Sequence, residues 1–298
     1  MSSLFDAFLR LPKDAELLHS RSMESKLTLA VLLIAIGSMA SLLLREVALL
    51  PDGHLHTHIL DIGQGDSILL VSPSGSQIIV DGGPDLSALE RIAEYMPFFD
   101  RTIELLVLTH TDLDHIAAFP EILRRYHIER ILMTGIETDQ ARYESALQEI
   151  FTQKTPVILA DPAKDIRFSD GLTLDVVWPP SSVFGSRPKK TNNTSIVLRA
   201  LFGTGSVLLT GDIERDAEMA ILATGADIRS DVLKVPHHGS KTSSSTGFLL
   251  AVRPLRAVIS LGRDNSYGHP HASTIDRFAF FHIPIRRTDT EKTISFSF

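Results

Sequence analysis

The stretch LTHTDLDHIAAF, residues 108–119, combines histidines and aspartates at a spacing typical of a metal-binding loop. It overlaps the end of the apolar run ELLVL, which is dense enough to predict a buried strand. Such a strand would deliver four side chains to one of its ends: His110, Asp112, Asp114 and His115. Imidazole and carboxylate groups are common ligands of divalent cations. The stretch therefore predicts a metal site.

Further polar groups stand at the ends of other apolar segments. One such group is ordinary turn chemistry, but six of them indicate that these strand ends converge on one site. Besides the loop at 110–115, they are Asp81 after QIIV, Asn192 and Asn193 before SIVL, Asp212 after VLLT, His237 and His238 after VLKV, and His269 beyond ISLG.

A separate histidine group, His54, His56 and His58, alternates along a predicted strand, so its members would share one face. Same-face residues of a strand lie more than about 6 Å apart, and we expect no acidic residue to pair with them. The pattern favours histidines that face solvent or pack on the sheet. A metal site is the weaker alternative.

The elements that must position these residues alternate between short strands and helices. Strands joined by tight turns run from His54 to Gly83, and the second half shows the same pattern of short strands with helices. No long linker follows residue 53. This predicts two packed sheets with helices outside, an α+β fold in one domain over residues 54–298. A helix is predicted over AFPEILRRYHI, residues 118–128, with His127 at its surface.

Composition narrows the function classes. The 298 residues carry a net charge of −7, so no global basic field draws the protein to nucleic acid. A polyanion must therefore bind through a metal or a local patch, and Arg187, Lys189 and Lys190 form the one basic cluster predicted near the site. The absence of cysteine excludes disulfides, thiolate metal sites and a cysteine nucleophile.

One apolar segment, LTLAVLLIAIGSMASLLL at residues 27–44, has no charged residue. As a helix it would be about 27 Å long, close to the hydrocarbon core of a bilayer at about 30 Å. We therefore predict a transmembrane helix over residues 27–48. A buried core helix and a signal peptide cleaved near Ser38-Met39-Ala40 are the alternatives.

The basic residues around this segment predict its orientation. Four precede it within residues 1–26, whereas Arg45 is the only one between the segment and Arg91. The positive-inside bias places residues 1–26 in the cytoplasm and the globular part outside it, in a single-pass protein of the cell membrane.

The motifs DIGQGDS, VDGG, THTDLDH, NNTSIVL, LTGDIE, LKVPHHGSK and YGHP carry a resemblance. Together they resemble the C-terminal hydrolase domain of the ComEC family of DNA-uptake proteins, within the metallo-β-lactamase fold superfamily, whose metal loop reads H-x-H-x-D-H. The similarity runs from about His56 to the end of the chain. It implies a metallo-β-lactamase αβ/βα four-layer sandwich.

The resemblance also implies the metal ligands, which are His110, Asp112, Asp114, His115, Asn193, Asp212 and His269. His237 and His238 lie closer to Asp212 in sequence, which suits a catalytic role, although the exchange of roles with His269 stays open. Asp112 and an asparagine carbonyl stand where the superfamily has two imidazoles. Because oxygen ligands suit Mn²⁺ better than Zn²⁺, the resemblance implies two divalent cations, manganese before zinc.

Such a pair would activate a water and stabilise charge on a phosphoryl oxygen. The implied catalytic residues are Asp114, His237, His238 and Lys241; Asp81, Asp66 and Asn192 would support the ligands; and Ser240, Ser243 and Ser244 would clamp a phosphate beside Lys241. A solvated serine-rich turn is the alternative for the clamp.

The implied function is a membrane-anchored, metal-dependent phosphodiesterase of nuclease type, acting on DNA in competence-type uptake with a separate channel subunit. The alternatives are hydrolysis of another phosphoester, such as a lipid headgroup, and a non-catalytic binding protein of the same fold. A β-lactam hydrolase is less consistent with the missing histidines.

Overall fold

The computed structural model of the protein describes residues 11–298, with side chains from Lys26 onward. The chain divides into two compact units, one ending at Leu50 and the other covering Pro51–Phe298. The predicted cytoplasmic segment, residues 1–26, lies partly outside the described residues.

The first unit is the helix α1 (Leu11–Ala48). Its part Lys26–Ala48, 23 residues, is long and apolar enough to cross a membrane, and its leucine and isoleucine side chains are largely exposed. The helix as a whole begins before this part, at Leu11. The membrane span over residues 27–48 stays a prediction.

The second unit is built from two halves. The first half supplies six strands of one seven-stranded sheet and a separate pair of strands. Its strands are β1 (His56–Ile59), β2 (Ile68–Val71), β3 (Gln77–Val80), β4 (Thr102–Ile103), β5 (Leu105–Val107), β6 (His127–Ile128), β7 (Ile131–Met133) and β8 (Val157–Leu159). The sheet order is β16-β1-β2-β3-β5-β7-β8, where β16 (Ile294–Ser297) is the last strand of the chain, and β4 and β6 pair separately. Pairing is antiparallel from β16 to β3 and parallel from β3 to β8.

The second half supplies the other sheet. Its strands are β9 (Ile166–Arg167), β10 (Thr173–Trp178), β11 (Val197–Phe202), β12 (Gly205–Leu209), β13 (Val232–Lys234), β14 (Arg256–Ile259) and β15 (Ile285–Arg287), in sequential order across the sheet. Strands β9 to β12 pair antiparallel, and β12 to β15 pair parallel. Each sheet therefore joins an antiparallel part to a parallel part.

Helices cover the outer face of each sheet. They are α2 (Ser87–Tyr95), α3 (Leu113–Ile116), α4 (Phe119–Arg125) and α5 (Ala141–Gln153) in the first half, and α6 (Arg215–Thr224), α7 (Thr246–Val252), α8 (Ala272–Phe280) and α9 (Thr288–Glu291) in the second. Short 3-10 turns lie at Asn192–Thr194 and Pro236–Gly239.

Three apolar clusters show the layers. Ile59, Leu70 and Val107 from the first sheet pack with Leu198 and Val207 from the second in one central core. A second cluster joins the first sheet to its helices, and a third joins the second sheet to its own. Central strands such as β3, β5 and β13 are thus buried on both faces, which explains their continuous apolar runs. Each buried leucine or isoleucine side chain contributes about 1.5–3 kcal/mol.

The predicted helix over residues 118–128 is too long. Helix α4 ends at Arg125, because Tyr126 adopts an extended backbone with φ −117° and ψ 152°. His127 begins strand β6 and pairs with Thr102, and its side chain is exposed. The same pattern of apolar residues suits a short helix followed by a short strand as well as it suits one longer helix.

Candidate metal centre

The polar side chains meet where the parallel strands of the two sheets end. Strands β3 and β5 run parallel in the first sheet, and β12 and β13 run parallel in the second. Their carboxyl ends therefore lie at one edge of each sheet. Asp81 follows β3, the loop with His110 follows β5, Asp212 follows β12 and His238 follows β13.

Four of these residues form a compact group: Asp114, His115, Asp212 and His238 can each offer one ligand atom within 4.8 Å of all the others. The Nε2 atom of His115 lies 3.4 Å from Asp212 Oδ2. The Nε2 atom of His238 lies 3.2 Å from the same oxygen and 3.4 Å from Asp114 Oδ2. We call these four residues the donor cluster. It draws two members from each half of the sandwich.

His110 extends the donor cluster on one side. Its ring centroid lies 4.1 Å from that of His115, and with Asp81 the two histidines form a second group of close potential ligands. Its Nε2 atom lies 3.9 Å from Asp112 Oδ2. Asp112 is half-exposed, and its Oδ1 accepts a hydrogen bond of 2.7 Å from Thr191.

Asp81 orients His115. The Nδ1 atom of His115 donates to Asp81 Oδ2 at 2.8 Å, which leaves Nε2 facing the donor cluster. Asp81 also accepts from the backbone N–H and hydroxyl of Thr109, at 2.8 and 2.7 Å. Its backbone is left-handed, with φ 63°. This strained turn directs the carboxylate back under the metal-loop histidine.

His238 is oriented by backbone geometry of the same kind. His237 and His238 both have left-handed backbones, with φ of 49° and 53°, a conformation that costs roughly 1–2 kcal/mol per residue. The Nδ1 atom of His238 donates to the carbonyl of Ser260 at 2.8 Å, so Nε2 faces the two aspartates. The turn sends two neighbouring rings in different directions.

A buried ion pair lies beneath His238. The ammonium of Lys234 contacts Asp66 Oδ2 at 2.8 Å and donates to the carbonyl of Val235 at 2.9 Å, and both charged side chains are almost fully buried. The other oxygen of Asp66 lies 3.7 Å from His238 Nδ1. Lys234 was not singled out from the sequence, although a lysine inside the apolar run DVLKV was the available signal.

The turn before Asp66 fits closely against the metal loop. Gly65 has φ 124°, and a Cβ atom there would lie 2.0 Å from the carbonyl oxygen of Asp114. The N–H of Asp66 donates to that same oxygen at 3.2 Å. Only glycine permits this approach, so the GQGD turn supports the backbone that carries Asp114.

Burial and neighbouring charges shift the pKa values of the donor cluster in opposite directions. Burial raises the pKa of Asp212, but His238 and His115 outweigh it and hold that pKa well below its ordinary value. Burial lowers the pKa of His238, yet Asp212 and Asp114 raise it to about 9. Despite burial, Asp212 and Asp81 also hold the pKa of His115 well above its ordinary range. The carboxylates thus favour the charged form of both imidazoles.

This donor set fits a divalent cation. A divalent cation would offset the same carboxylate charge that favours protonation of His115 and His238. Within the described residues, several buried donor atoms also have no hydrogen-bond partner: His110 Nε2, His115 Nε2, Asp212 Oδ1, His238 Nε2 and His269 Nδ1. Buried polar atoms are ordinarily paired, so unpaired ones concentrated at one place indicate a ligand.

The two asparagines lie beside the cluster in different ways. The side-chain oxygen of Asn193 accepts from the N–H of Glu214 at 2.9 Å, and its carbonyl accepts from the indole of Trp178 at 2.8 Å. Both oxygens of Asn193 are therefore already used in hydrogen bonds within the fold. The amide of Asn192 lies 3.4 Å from His237 Nε2.

His237 and His269 line the more open side of the site. The ring of His269 lies 6.3 Å from that of His238 and 5.6 Å from that of His237. Asn265 holds the backbone of His269 through hydrogen bonds of 2.9 and 2.7 Å, and Tyr267 stacks on its ring. Burial, with His238 and His237 nearby, lowers the pKa of His269 to about 4.

The serine-rich loop turns its hydroxyl groups inward. Ser240, Ser243 and Ser244 are buried, and Ser243 donates to the carbonyl of Ile213 at 2.8 Å. Buried Glu218 accepts from the N–H of Ser245 at 2.8 Å. Arg277 donates to the carbonyls of Ser243 and Ser244 at 2.9 and 2.7 Å. Lys241 is therefore the exposed member of the predicted phosphate clamp.

The comparison with protein families agrees with this architecture. Residues 60–263 match the model of the metallo-beta-lactamase superfamily. The chain belongs to the metallo-beta-lactamase superfamily. The four-layer arrangement and the donor cluster at the strand ends are thus the frame of a metallo-hydrolase fold.

Curated relatives share the same domain. ComE operon protein 3 of Bacillus subtilis (strain 168) is 29% identical over 258 residues, which are 80% of this chain and 32% of that protein. Competence protein ComA of Neisseria gonorrhoeae is 29% identical over 248 residues, 83% of this chain and 33% of that protein. Both are ComEC-family competence proteins. The chain spans about a third of the length of these relatives.

Among solved structures, Igni18, described as a novel metallo hydrolase from Ignicoccus hospitalis KIN4/I, superposes with a TM-score of 0.51. The match has 18% sequence identity and covers 82% of this chain and 99% of that one. At this identity the likeness supports the fold alone.

Proposed function

We propose that the chain is a metal-dependent phosphodiesterase that cuts DNA, in a competence-type uptake process that involves a separate channel subunit. The observation that carries the proposal is the donor cluster, with its unpaired buried atoms on His115, Asp212 and His238. The competence relatives support DNA as the substrate.

In this proposal the donor cluster would hold one divalent cation, and His110 with Asp112 would contribute to holding a second. His269, whose Nδ1 is unpaired, is a further candidate ligand. Bound cations would activate a water and stabilise charge on a phosphoryl oxygen. The carboxylates of Asp112, Asp114 and Asp212 favour manganese, whereas the added imidazole of His238 makes zinc the closest competitor.

The remaining residues position these groups. Asp81 and the carbonyl of Ser260 fix the ring orientations of His115 and His238. His237 stands on the more open side, with its side chain 22% exposed, where a ring N–H can give a proton to the leaving oxygen. The Asp66–Lys234 pair holds the floor beneath His238.

Helix α1 would anchor the chain, with the hydrolase unit on the extracytoplasmic side. The span Lys26–Ala48 supports this proposal. Because the chain has no cysteine, the variant Lys164→Cys provides a single label on an exposed side chain of the second unit. A membrane-impermeant thiol reagent should label it in intact cells. Labelling only after lysis would contradict this orientation.

The activity is tested with the full chain in neutral detergent, incubated with single- and double-stranded DNA in Mn²⁺, Mg²⁺ or Zn²⁺ while bound metal is quantified. We expect cleavage with Mn²⁺ that is lost in Asp114→Ala. Activity with Zn²⁺ alone would overturn the manganese assignment. Turnover of a small phosphodiester without DNA cleavage would redirect the proposal to another phosphoester, and a protein that binds no metal would exclude catalysis.

A further inference from the structure

A polar cavity of about 270 Å³ lies next to the donor cluster. It is lined by Lys190, Glu214, Arg215, Asp216, Lys241 and Thr242. Three of these residues are cationic and two are anionic, so the cavity carries one net positive charge within a chain whose net charge is −7. The cavity is therefore locally positive although the chain as a whole is negative.

The charges in the cavity are not all balanced by one another. Lys190 contacts Glu214 at 2.9 Å and Asp216 at 3.7 Å, so it is shared between the two carboxylates. Among the side chains described from Lys26 onward, Arg215 and Lys241 have no carboxylate partner, and both are exposed. These two cations are available to an anion from outside.

The walls of the cavity are held together. The N–H of Arg215, at the start of helix α6, donates to the carbonyl of Thr242 at 2.9 Å. The loop that carries Lys241 is further held by Glu218 from α6 and by Arg277 from α8. The two free cations are therefore mounted on backbone whose position is set by buried contacts.

His237 connects the cavity to the donor cluster. Its Nδ1 atom lies 3.4 Å from the hydroxyl of Thr242 and 3.9 Å from Glu214, both of which line the cavity. Its ring centroid is 6.3 Å from that of His238 in the donor cluster. A chain-like ligand with phosphates at regular spacing can therefore reach both places at once by passing His237.

We propose that Arg215 and Lys241 bind a phosphate of a single nucleic acid strand, one that flanks the phosphodiester at the donor cluster. This subsite rests on the proposed phosphodiesterase function for its substrate class. It assigns to Arg215 a role that the sequence did not suggest, and it replaces the buried serines as the phosphate contact. The two cations position the strand and take no part in the chemistry.

The test is binding of a labelled single-stranded oligonucleotide to the full chain in EDTA, followed by fluorescence anisotropy over a salt series. Wild type is compared with Arg215→Gln/Lys241→Gln. The matched control, Arg253→Gln/Arg256→Gln, removes the same charge from the end of strand β14 that is opposite Ser260. Thermal unfolding of each variant verifies that it is folded.

We expect the double variant to reduce the slope of log K against log salt by about 0.7, because the two cations share one phosphate and each phosphate contact on a single strand contributes about 0.7. Affinity near physiological salt should fall about fourfold, and the control should keep the wild-type slope. An unchanged slope in the double variant, or an equal loss in the control, would overturn the subsite.

Binding of a mononucleotide distinguishes a site for a nucleic acid strand from a site for any small phosphate. If thymidine monophosphate binds as tightly as the oligonucleotide and loses equal affinity in the double variant, the cavity is a small-anion site and the strand proposal fails. Because binding is measured in EDTA, it is independent of cleavage. Wild type that binds with the expected slope but cuts nothing would refute the proposed nuclease activity and leave the subsite standing.

Discussion

The protein has two groups of histidines, and they differ in what surrounds their ring nitrogens. In the donor cluster, His115 and His238 come from different elements, are buried, and keep Nε2 atoms without a hydrogen-bond partner. Along strand β1, His56 and His58 come from one element and lie with their ring centroids 6.2 Å apart. Convergence from several elements brings ligand atoms close together, whereas a strand keeps them apart.

The histidines near β1 also have partners of their own. His56 Nε2 lies 2.9 Å from Asp52, and that contact, with the backbone N–H of His54, lowers the pKa of Asp52 to about 2. His58 contacts the hydroxyl of Ser295 at 2.7 Å and stacks on Tyr95. The expectation that no acidic residue pairs with this group was therefore wrong. An unpaired buried nitrogen therefore indicates a metal site better than a count of histidines does.

Removal of the carboxylate that contacts both cluster histidines should affect the donor cluster most. Asp212→Asn should reduce metal affinity by more than the roughly 10–100-fold that loss of an outer-shell partner costs, and DNA cleavage should be lost with it. Bound metal and cleavage are measured together. The matched change beside the histidines of β1, Asp52→Asn, should leave the metal content unaltered. If Asp52→Asn lost as much bound metal as Asp212→Asn, the two histidine groups would not differ in metal binding.

Loss of the ion pair under the cluster comes next. Lys234→Met leaves the Asp66 carboxylate buried without a partner, so the free energy of unfolding should fall by about 3–5 kcal/mol. Urea denaturation measures this. Adding Asp66→Leu should restore most of the stability, because an apolar pair avoids the buried charge. A single variant as stable as wild type would mean that water reaches this pair.

Two histidines, His238 and His269, compete for the ligand role. His238→Gln should weaken metal binding more than His269→Gln, because His238 lies within 3.4 Å of two aspartates whereas the ring of His269 is 6.3 Å from that of His238. We expect the His269 variant to lose about tenfold in affinity, as outer partners do. The reverse order, measured by metal titration, would return the ligand role to His269.

His58 on strand β1 should make a smaller contribution, which is to the pH dependence of stability. Burial, with His56 nearby, lowers the pKa of His58 to about 4. Between pH 6.5 and pH 4 the unfolded chain therefore takes up a proton that the folded chain does not, and stability falls as pH drops through this window. The loss should be about 2 kcal/mol, after allowance for partial exposure.

His58→Phe should remove this part of the pH dependence in thermal unfolding. The exposed His127 serves as the control, because His127→Gln should keep the wild-type profile. If His58→Phe titrates like wild type, burial of this ring has no effect on stability.

Much of the architecture was readable from the sequence, because apolar runs ended repeatedly in polar residues. Asp81, Asp212 and the loop at His110–His115 come together because each follows a parallel strand, and such strands end at a common edge. The two sheets with outer helices followed from the same pattern.

Three features could not be read from the sequence, for physical reasons. The left-handed backbone at His237 and His238 decides which ring turns inward, and no local residue preference predicts it. Asn193 had two oxygens to offer, but the fold uses both in hydrogen bonds elsewhere. Lys234 became informative only when the structure placed its partner Asp66 beside it from a distant turn.

The origin of the donor cluster has a consequence for the stability of the whole unit. Asp114 and His115 belong to the first sheet's half, and Asp212 and His238 to the second. An ion held by all four residues would link the two halves of the sandwich. By mass action, free ion at 100 times its dissociation constant would add about 2.7 kcal/mol to the free energy of unfolding. Removal of the ion by a chelator should then lower the free energy of unfolding as well as abolish activity at the site.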